Sequence, residues 1–324
     1  MPDNNEFWFR MLFKVKLYEA RGASFQQLVH DLFQLVRKDF QAIAPWGNWG
    51  DGGNDGWVPS KGWYYQIHGP EPGMKDSIKK QMDDNATKHV KKAAGDFRKL
   101  TEEWGEVKRY YFVLNDRYTG IPAPVAKALQ DLEDNNEGLE KARAIGSREL
   151  ENLFMKLSEQ EREVIIGGIP GHSLDFIDPR CVGELLTHLA DKSTSLSVFL
   201  DGTAPDFQEK IAFNGLTEPV AGYLKSFSYQ AATVDDFLSD RGDLAQPISE
   251  EINRFYKTSR ETIPNEEEYA PNMRYVWMVE QLIPDAMRKH PHSMKAYREA
   301  AQTILAKYFE TCDAYDHPNS VATP

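Results

Sequence analysis

The stretch from Trp46 to Val58, Trp46-Gly47-Asn48-Trp49-Gly50-Asp51-Gly52-Gly53-Asn54-Asp55-Gly56-Trp57-Val58, constrains this chain more than any other. So much glycine cannot sit inside a helix or a regular strand, because ordering glycine costs more backbone entropy than ordering any other residue. The stretch is therefore a loop in which backbone approaches backbone or a ligand closely. It delivers two carboxylates, Asp51 and Asp55, to the mouth of an aromatic strand, Gly62 to His68. Side chains alternate across a strand, so Gln66 and His68 share one face while Tyr65 and Ile67 share the other.

The flanking sequence places this loop in a mixed α/β arrangement. Residues 7 to 18 are helical in tone, and Ser24 is a candidate cap for a helix in which Phe25, Leu28, Val29, Leu32, Leu35 and Val36 form one apolar face. A short strand over Asp39 to Ala44 ends at Pro45. After the loop, Gly56 to Pro59 and Gly62 to His68 read as two strands joined at Ser60-Lys61. A long helix follows, with Ile78, Met82, Val90, Ala93, Phe97 and Leu100 turned inward, then a buried strand over Val107 to Leu114 and a helix over Pro122 to Leu132. The order is αβββαβ. A helix between the third and fourth strands has the length of a crossover, which makes those strands parallel neighbours.

Asp134-Asn135-Asn136-Glu137-Gly138 is polar and carries a glycine, so it marks a boundary between a domain of residues 1–135 and a mostly α-helical domain of residues 136–324. In the second part Ser158 and Glu161 form a capping box. Asp201 to Asp206 and Asp235 to Gln246 read as loops, and 271–289 and 293–311 as a helical pair. Gly167 to Gly171 lacks the Lys-Ser/Thr of a phosphate loop, so no nucleotide site of that kind is expected.

The chain carries 50 acidic and 38 basic side chains, a net charge of −12. That excludes coating nucleic acid by bulk attraction. The bases cluster, however, between residues 75 and 99, where Lys75, Lys79, Lys80 and Lys91 are candidates to grip phosphates. No apolar run spans a bilayer, the start lacks a secretory pattern, and Cys181 and Cys312 match no redox or metal spacing. A cytoplasmic protein without membrane contact is expected.

Residues 20 to 116 resemble the PD-(D/E)XK, or restriction-endonuclease-like, nuclease superfamily. Asp55 matches the acid that leads the second core strand, Gln66 the glutamine variant of the third-strand acid, and His68 stands where the lysine falls. Gln26 best matches the helical acid, with Glu19 a neighbouring substitute. A second resemblance covers most of the chain. Gly50-Asp51, Asn54-Asp55-Gly56, Tyr65-Gln66, Gly69-Pro70-Glu71 and the run Tyr308-Phe309-Glu310-Thr311-Cys312-Asp313 are similar to proteins of ABC three-component conflict systems.

These resemblances imply a DNA endonuclease effector in antiphage defence. Its partners would be an SMC- or Rad50-like ABC ATPase and a small middle component, in an oligomeric complex joined through the helical domain. They further imply Mg²⁺ or Mn²⁺ held by Asp55 and Gln66, with Asp51 as a further ligand, and a catalytic set of Asp55, Gln66 and His68. An unperturbed His68 is partly protonated near neutrality and stands in for the lysine; otherwise Lys75 or Lys79 reaches in from the following helix. The implied alternative is a nuclease-fold adaptor that binds DNA or partners without cutting. Read without any family, Asp51 and Asp55 are Asx side chains capping loop N–H groups, and Gln66 and His68 are a hydrogen-bonded pair.

Overall fold

Five strands of the N-terminal half pair in the order in which they occur along the chain, β1-β2-β3-β4-β5. The computed structural model describes residues 4–45, 51–70, 78–171, 177–192, 206–288, 290–310 and 314–318, with the side chains of Asn4 and of 78–87 excepted. Helix α1 (Asn4–Glu19) leads to α2 (Gly22–Val36), β1 (Gln41–Ala42), β2 (Gly56–Val58), β3 (Trp63–His68), α3 (Ile78–Trp104), β4 (Arg109–Leu114), α4 (Ala123–Asn135) and β5 (Lys141–Ile145). β2 is antiparallel to β1 and to β3, whereas β3, β4 and β5 run parallel. The long α3 makes the β3-to-β4 crossover, as its length requires.

Each face of the sheet is closed by helices. On one, Tyr64, Tyr110, Phe112 and Leu114 pack with Ala93, Phe97 and Leu100 of α3 and with Val125 and Leu129 of α4. On the other, Tyr65 meets Phe33 of α2 at 5.1 Å between ring centroids and stacks on Tyr111 at 4.9 Å. Ser24 lies inside the first turn of α2; Arg21 is the N-cap, and its N–H donates to Ser24 Oγ at 2.9 Å.

The boundary expected at 135/136 falls inside this sheet. Lys141–Ile145 is a fifth strand, with Ala142 and Ile145 buried and Lys141 and Arg143 exposed. Alanine is a poor strand former, so only pairing with β4 makes the segment a strand. Helices α5 (Ser147–Met155) and α6 (Glu159–Ile166) follow, and the chain divides into a unit of residues 16–165 and a unit of residues 1–15 with 166–324. The expected capping box opens α6: Ser158 N–H donates to Glu161 Oε2 at 2.8 Å.

The second unit is helical, with α7 (Pro179–Lys192), α8 (Phe207–Phe213), α9 (Val220–Ser228), α10 (Ala232–Leu238), α11 (Ala245–Thr262), α12 (Ala270–Leu282), α13 (Asp285–Arg288) and α14 (Met294–Glu310). Part of the loop expected at 235–246 is helix: its first four residues end α10, where Val234 is buried, and its last two open α11. Two almost fully buried cations help to organise this unit. Arg298 on α14 is fully buried; it pairs with Glu280 of α12 at 2.7 Å and donates to the carbonyls of Ile166 at 2.7 Å and Gly168 at 2.6 Å. Lys210 donates to the carbonyl of Phe309 at 2.6 Å. Among the described residues no helix is long and apolar enough to cross a membrane.

Candidate functional site

Asp55 sits one residue before β2, where the Gly56↔Tyr65 register brings it opposite Gln66. Its own N–H donates to Tyr65 O at 3.0 Å, so the backbone still follows the ladder. The side chain then takes the place of a missing strand neighbour: Oδ2 accepts from Ile67 N–H at 2.7 Å. Oδ1 accepts from Gln26 Nε2 of α2 at 2.8 Å, and His30 Nε2 lies 2.9 Å from Asp55 O. Asp55 is 4% exposed. Burial, with help from nearby Asp51 and Asp96 and against the Ile67 N–H and Lys92, pushes it up to about 7.

The glycines before it let the loop lie on α3. Gly52 and Gly53 take φ of +62° and +77°, and a Cβ on Gly53 would stand 2.3 Å from the backbone oxygen of Asp96. Only glycine fits that approach. Asp51 Oδ1 accepts from Gly53 N–H at 2.8 Å, which closes the turn in the manner of an Asx cap. Trp46 to Gly50, the first part of the loop, lie outside the described residues.

Gln66 and His68 lie on the α3 face of β3, the face of Tyr64. Gln66 is 2% exposed and its Oε1 has no hydrogen-bond partner among the described residues. The His68 ring meets that of His89 on α3 at 4.8 Å. Burial first, then His89 and Lys92, push His68 down to about 4. The partly protonated imidazole expected from an unperturbed histidine is thus replaced by a neutral one at pH 7, which accepts a proton but carries no charge.

The cation near the site is Lys92. It stands one turn from His89, which touches His68, and one turn from Asp96, on whose backbone the Gly53 approach is made. Its Nζ pairs with Asp96 Oδ2 at 2.7 Å. Lys75, expected to reach in, lies outside the described residues, as do the side chains of Lys79 and Lys80 on α3. Lys91 is exposed on that helix.

Sequence reasoning passed over His30, His89, Lys92 and Asp96. Their signal was helical spacing: Gln26 and His30 are four residues apart, and His89, Lys92 and Asp96 recur at three and four, so each set shares a helix face. Among the described residues no three His, Cys, Asp or Glu side chains come together as a metal-binding group.

In the helical unit, Tyr308 and Phe309 of the quoted run are buried. The Phe309 ring packs on Phe207 and Tyr315, each at 5.2 Å. Thr311 to Asp313 lie outside the described residues. Neither a curated protein nor a solved structure matches the chain. A family model does match residues 180–316, from the start of α7 to beyond α14: C-terminal domain 10 of the ABC-three component (ABC-3C) systems. The helical region is thus similar to a C-terminal domain of those systems, which supports the chain's membership of an ABC three-component system.

Proposed function

We propose that the chain is the effector of a prokaryotic ABC three-component defence system, its sheet unit a metal-dependent DNA endonuclease. In this reading the helical unit joins it to an SMC- or Rad50-like ABC ATPase and a small middle component. The match of residues 180–316 to a C-terminal domain of such systems supports the second half. One observation carries the first: Asp55, buried at the lead of β2, is aligned by strand register with Gln66, whose buried Oε1 has no hydrogen-bond partner among the described residues. The sheet order, with only β2 and the strands beside it antiparallel, agrees with a restriction-endonuclease-like core.

The donor set fits Mg²⁺ or Mn²⁺, hard cations that take carboxylate and amide oxygens. Asp55 and Gln66 would hold the ion, and bound there it supplies charge neutralisation at the scissile phosphate and a more acidic water. The chain's own groups do the rest. Gln26 and the Ile67 N–H fix the Asp55 carboxyl in one orientation. Neutral His68 accepts a proton. Lys92 provides the positive charge that His68 lacks. DNA is gripped along α3, where Lys88 and Lys91 are exposed.

The test is nicking of plasmid DNA with Mg²⁺ or Mn²⁺, by the protein alone and with its partner components. Asp55→Ala abolishes cleavage; unchanged cleavage overturns the assignment. A binding readout accompanies it. Mg²⁺ raises the melting temperature of the wild type more at pH 8 than at pH 5.5, and does not raise that of Asp55→Asn.

A second reading rests on a different observation. Both oxygens of Asp55 already accept hydrogen bonds within the protein, as a structural carboxyl would. On that reading the unit is an adaptor that binds DNA or partners without cutting. DNA bound but intact with every component present would favour it.

A further inference from the structure

The opposite end and opposite face of β3 carry a second concentration of functional groups. Trp63 opens the strand on the face of Tyr65, away from Gln66 and His68. Three cations surround its indole: Lys61 Nζ at 4.5 Å, Arg109 Cζ at 4.8 Å and Arg37 Cζ at 5.5 Å from the ring centroid. In the next row of the same face, Arg143 Cζ lies 5.6 Å from the Tyr111 ring.

Acids balance only part of this charge. Glu140 pairs with Arg109 at 3.2 Å, and Glu149 takes Arg143 through two bonds of 2.9 and 2.6 Å. Asp39 accepts from Ser60 Oγ. Lys61 and Arg37 have no acidic partner within ion-pair distance among the described residues, and Arg37 Nε is buried without a hydrogen-bond partner. The Tyr65 hydroxyl is also buried without one, in the field of Arg37, Arg143 and Arg109.

Cations around one indole are held within about 10 Å of each other, a separation over which like charges still repel. A bound anion relieves that repulsion. Guanidinium N–H edges match phosphate oxygens; those of Arg109 and Arg143 are shared in part with Glu140 and Glu149, whereas Lys61 and Arg37 have no such acid beside them among the described residues. Arg109 and Arg143 stand on neighbouring strands, about 4.8 Å apart, while Lys61 lies in the turn before β3 and Arg37 at the end of α2, with Lys61 and Arg143 exposed. A single small anion reaches only some of them, whereas a run of phosphates reaches all.

We infer that the sheet end around Trp63 is a phosphate-binding surface for a nucleic-acid strand, separate from the site at Asp55. It does not depend on cleavage, so its test reads binding alone. Fluorescence anisotropy of the full chain with a short labelled DNA duplex and its single strand, over a salt series, compares wild type with Lys61→Gln/Arg109→Gln. The double variant binds roughly tenfold more weakly, and its log–log salt slope is shallower by about 1.5, the loss of two phosphate contacts. Arg148→Gln/Lys156→Gln, exposed bases elsewhere in the unit, changes neither. Equal weakening by the two pairs, or an unchanged slope in the first, overturns the inference. If the double variant loses its thermal transition, Lys61→Gln alone carries the test, with roughly threefold weaker binding expected. Inorganic phosphate at matched ionic strength should displace the strand only weakly. Displacement at equimolar phosphate would make this a small-anion site and overturn the strand assignment.

Discussion

Gln26 Nε2 and Asp55 Oδ1, 29 residues apart in the chain, meet at 2.8 Å between helix α2 and the lead of β2. The bond makes the orientation of the carboxyl a property of helix packing rather than of the glycine loop. Gln26→Ala should leave Oδ1 without a partner in a buried place and cost about 1–2 kcal/mol in urea unfolding. Gln26→Glu sets a second carboxyl against Asp55. It should destabilise the metal-free protein more at pH 8 than at pH 5.5, and Mg²⁺ should reverse most of that loss.

Asp55 itself gives a pH-dependent prediction of definite sign. The unfolded chain loses this proton near 3.8, while the folded protein holds it to about 7. The contribution to stability is therefore complete below pH 4 and lost as pH rises from 4 to 7. The loss is on the order of 4 kcal/mol. Asp55→Asn removes the charge, and Gln26 can reverse its amide to meet the new side chain. Without metal, the variant should melt higher than the wild type at pH 8 and gain much less at pH 5. Equal melting at pH 8 would show that the buried charge costs nothing.

Lys92→Met tests the cation beside His68. Removing a like charge should raise the His68 pKa only slightly above about 4, because burial and His89 still hold it down, a shift readable from its imidazole signal in an NMR titration. If the sheet unit cleaves DNA, the same substitution should reduce cleavage about 100-fold or more while leaving the melting temperature within a few degrees.

Gly53→Ala and Gly95→Ala should differ in sign. Gly53 combines φ of +77° with a Cβ position 2.3 Å from the Asp96 oxygen, so alanine there should cost about 2–4 kcal/mol. Gly95 lies within α3 with open space around its Cβ position, so alanine there should stabilise by about 0.5–1 kcal/mol. Denaturant midpoints of the two variants check both.

Arg298→Met should be among the most damaging changes in the helical unit. It leaves Glu280 charged and buried and strips the carbonyls of Ile166 and Gly168 of their donor, a loss of about 3–5 kcal/mol. Calorimetry of the full chain should show the transition of the helical unit shifted to lower temperature or lost.

Much of the sheet unit was legible because its signals are local. The alternation of Tyr64 to His68, the inward spacing of Ala93, Phe97 and Leu100, and the crossover length of α3 were enough for the succession of elements as far as β4 and for the parallel pairing of β3 with β4. β5 escaped because Lys141 to Ile145 has little strand preference of its own; its pairing with β4, more than thirty residues earlier, decides it. The stretch 235–246 reads as a loop from its acids and glycine, and tertiary burial of Val234 turned part of it to helix.

The candidate site shows the same division. Residue types and spacing determined which groups stand at the lead of β2 and along β3, because alternation and glycine conformation act over a few residues. Tertiary structure alone decided their chemistry. Burial raised Asp55 and lowered His68, and packing brought Gln26 and Lys92 toward them from two helices. Charge states follow from desolvation and from neighbours distant in the chain, and neither exists until the sheet has closed between its helices.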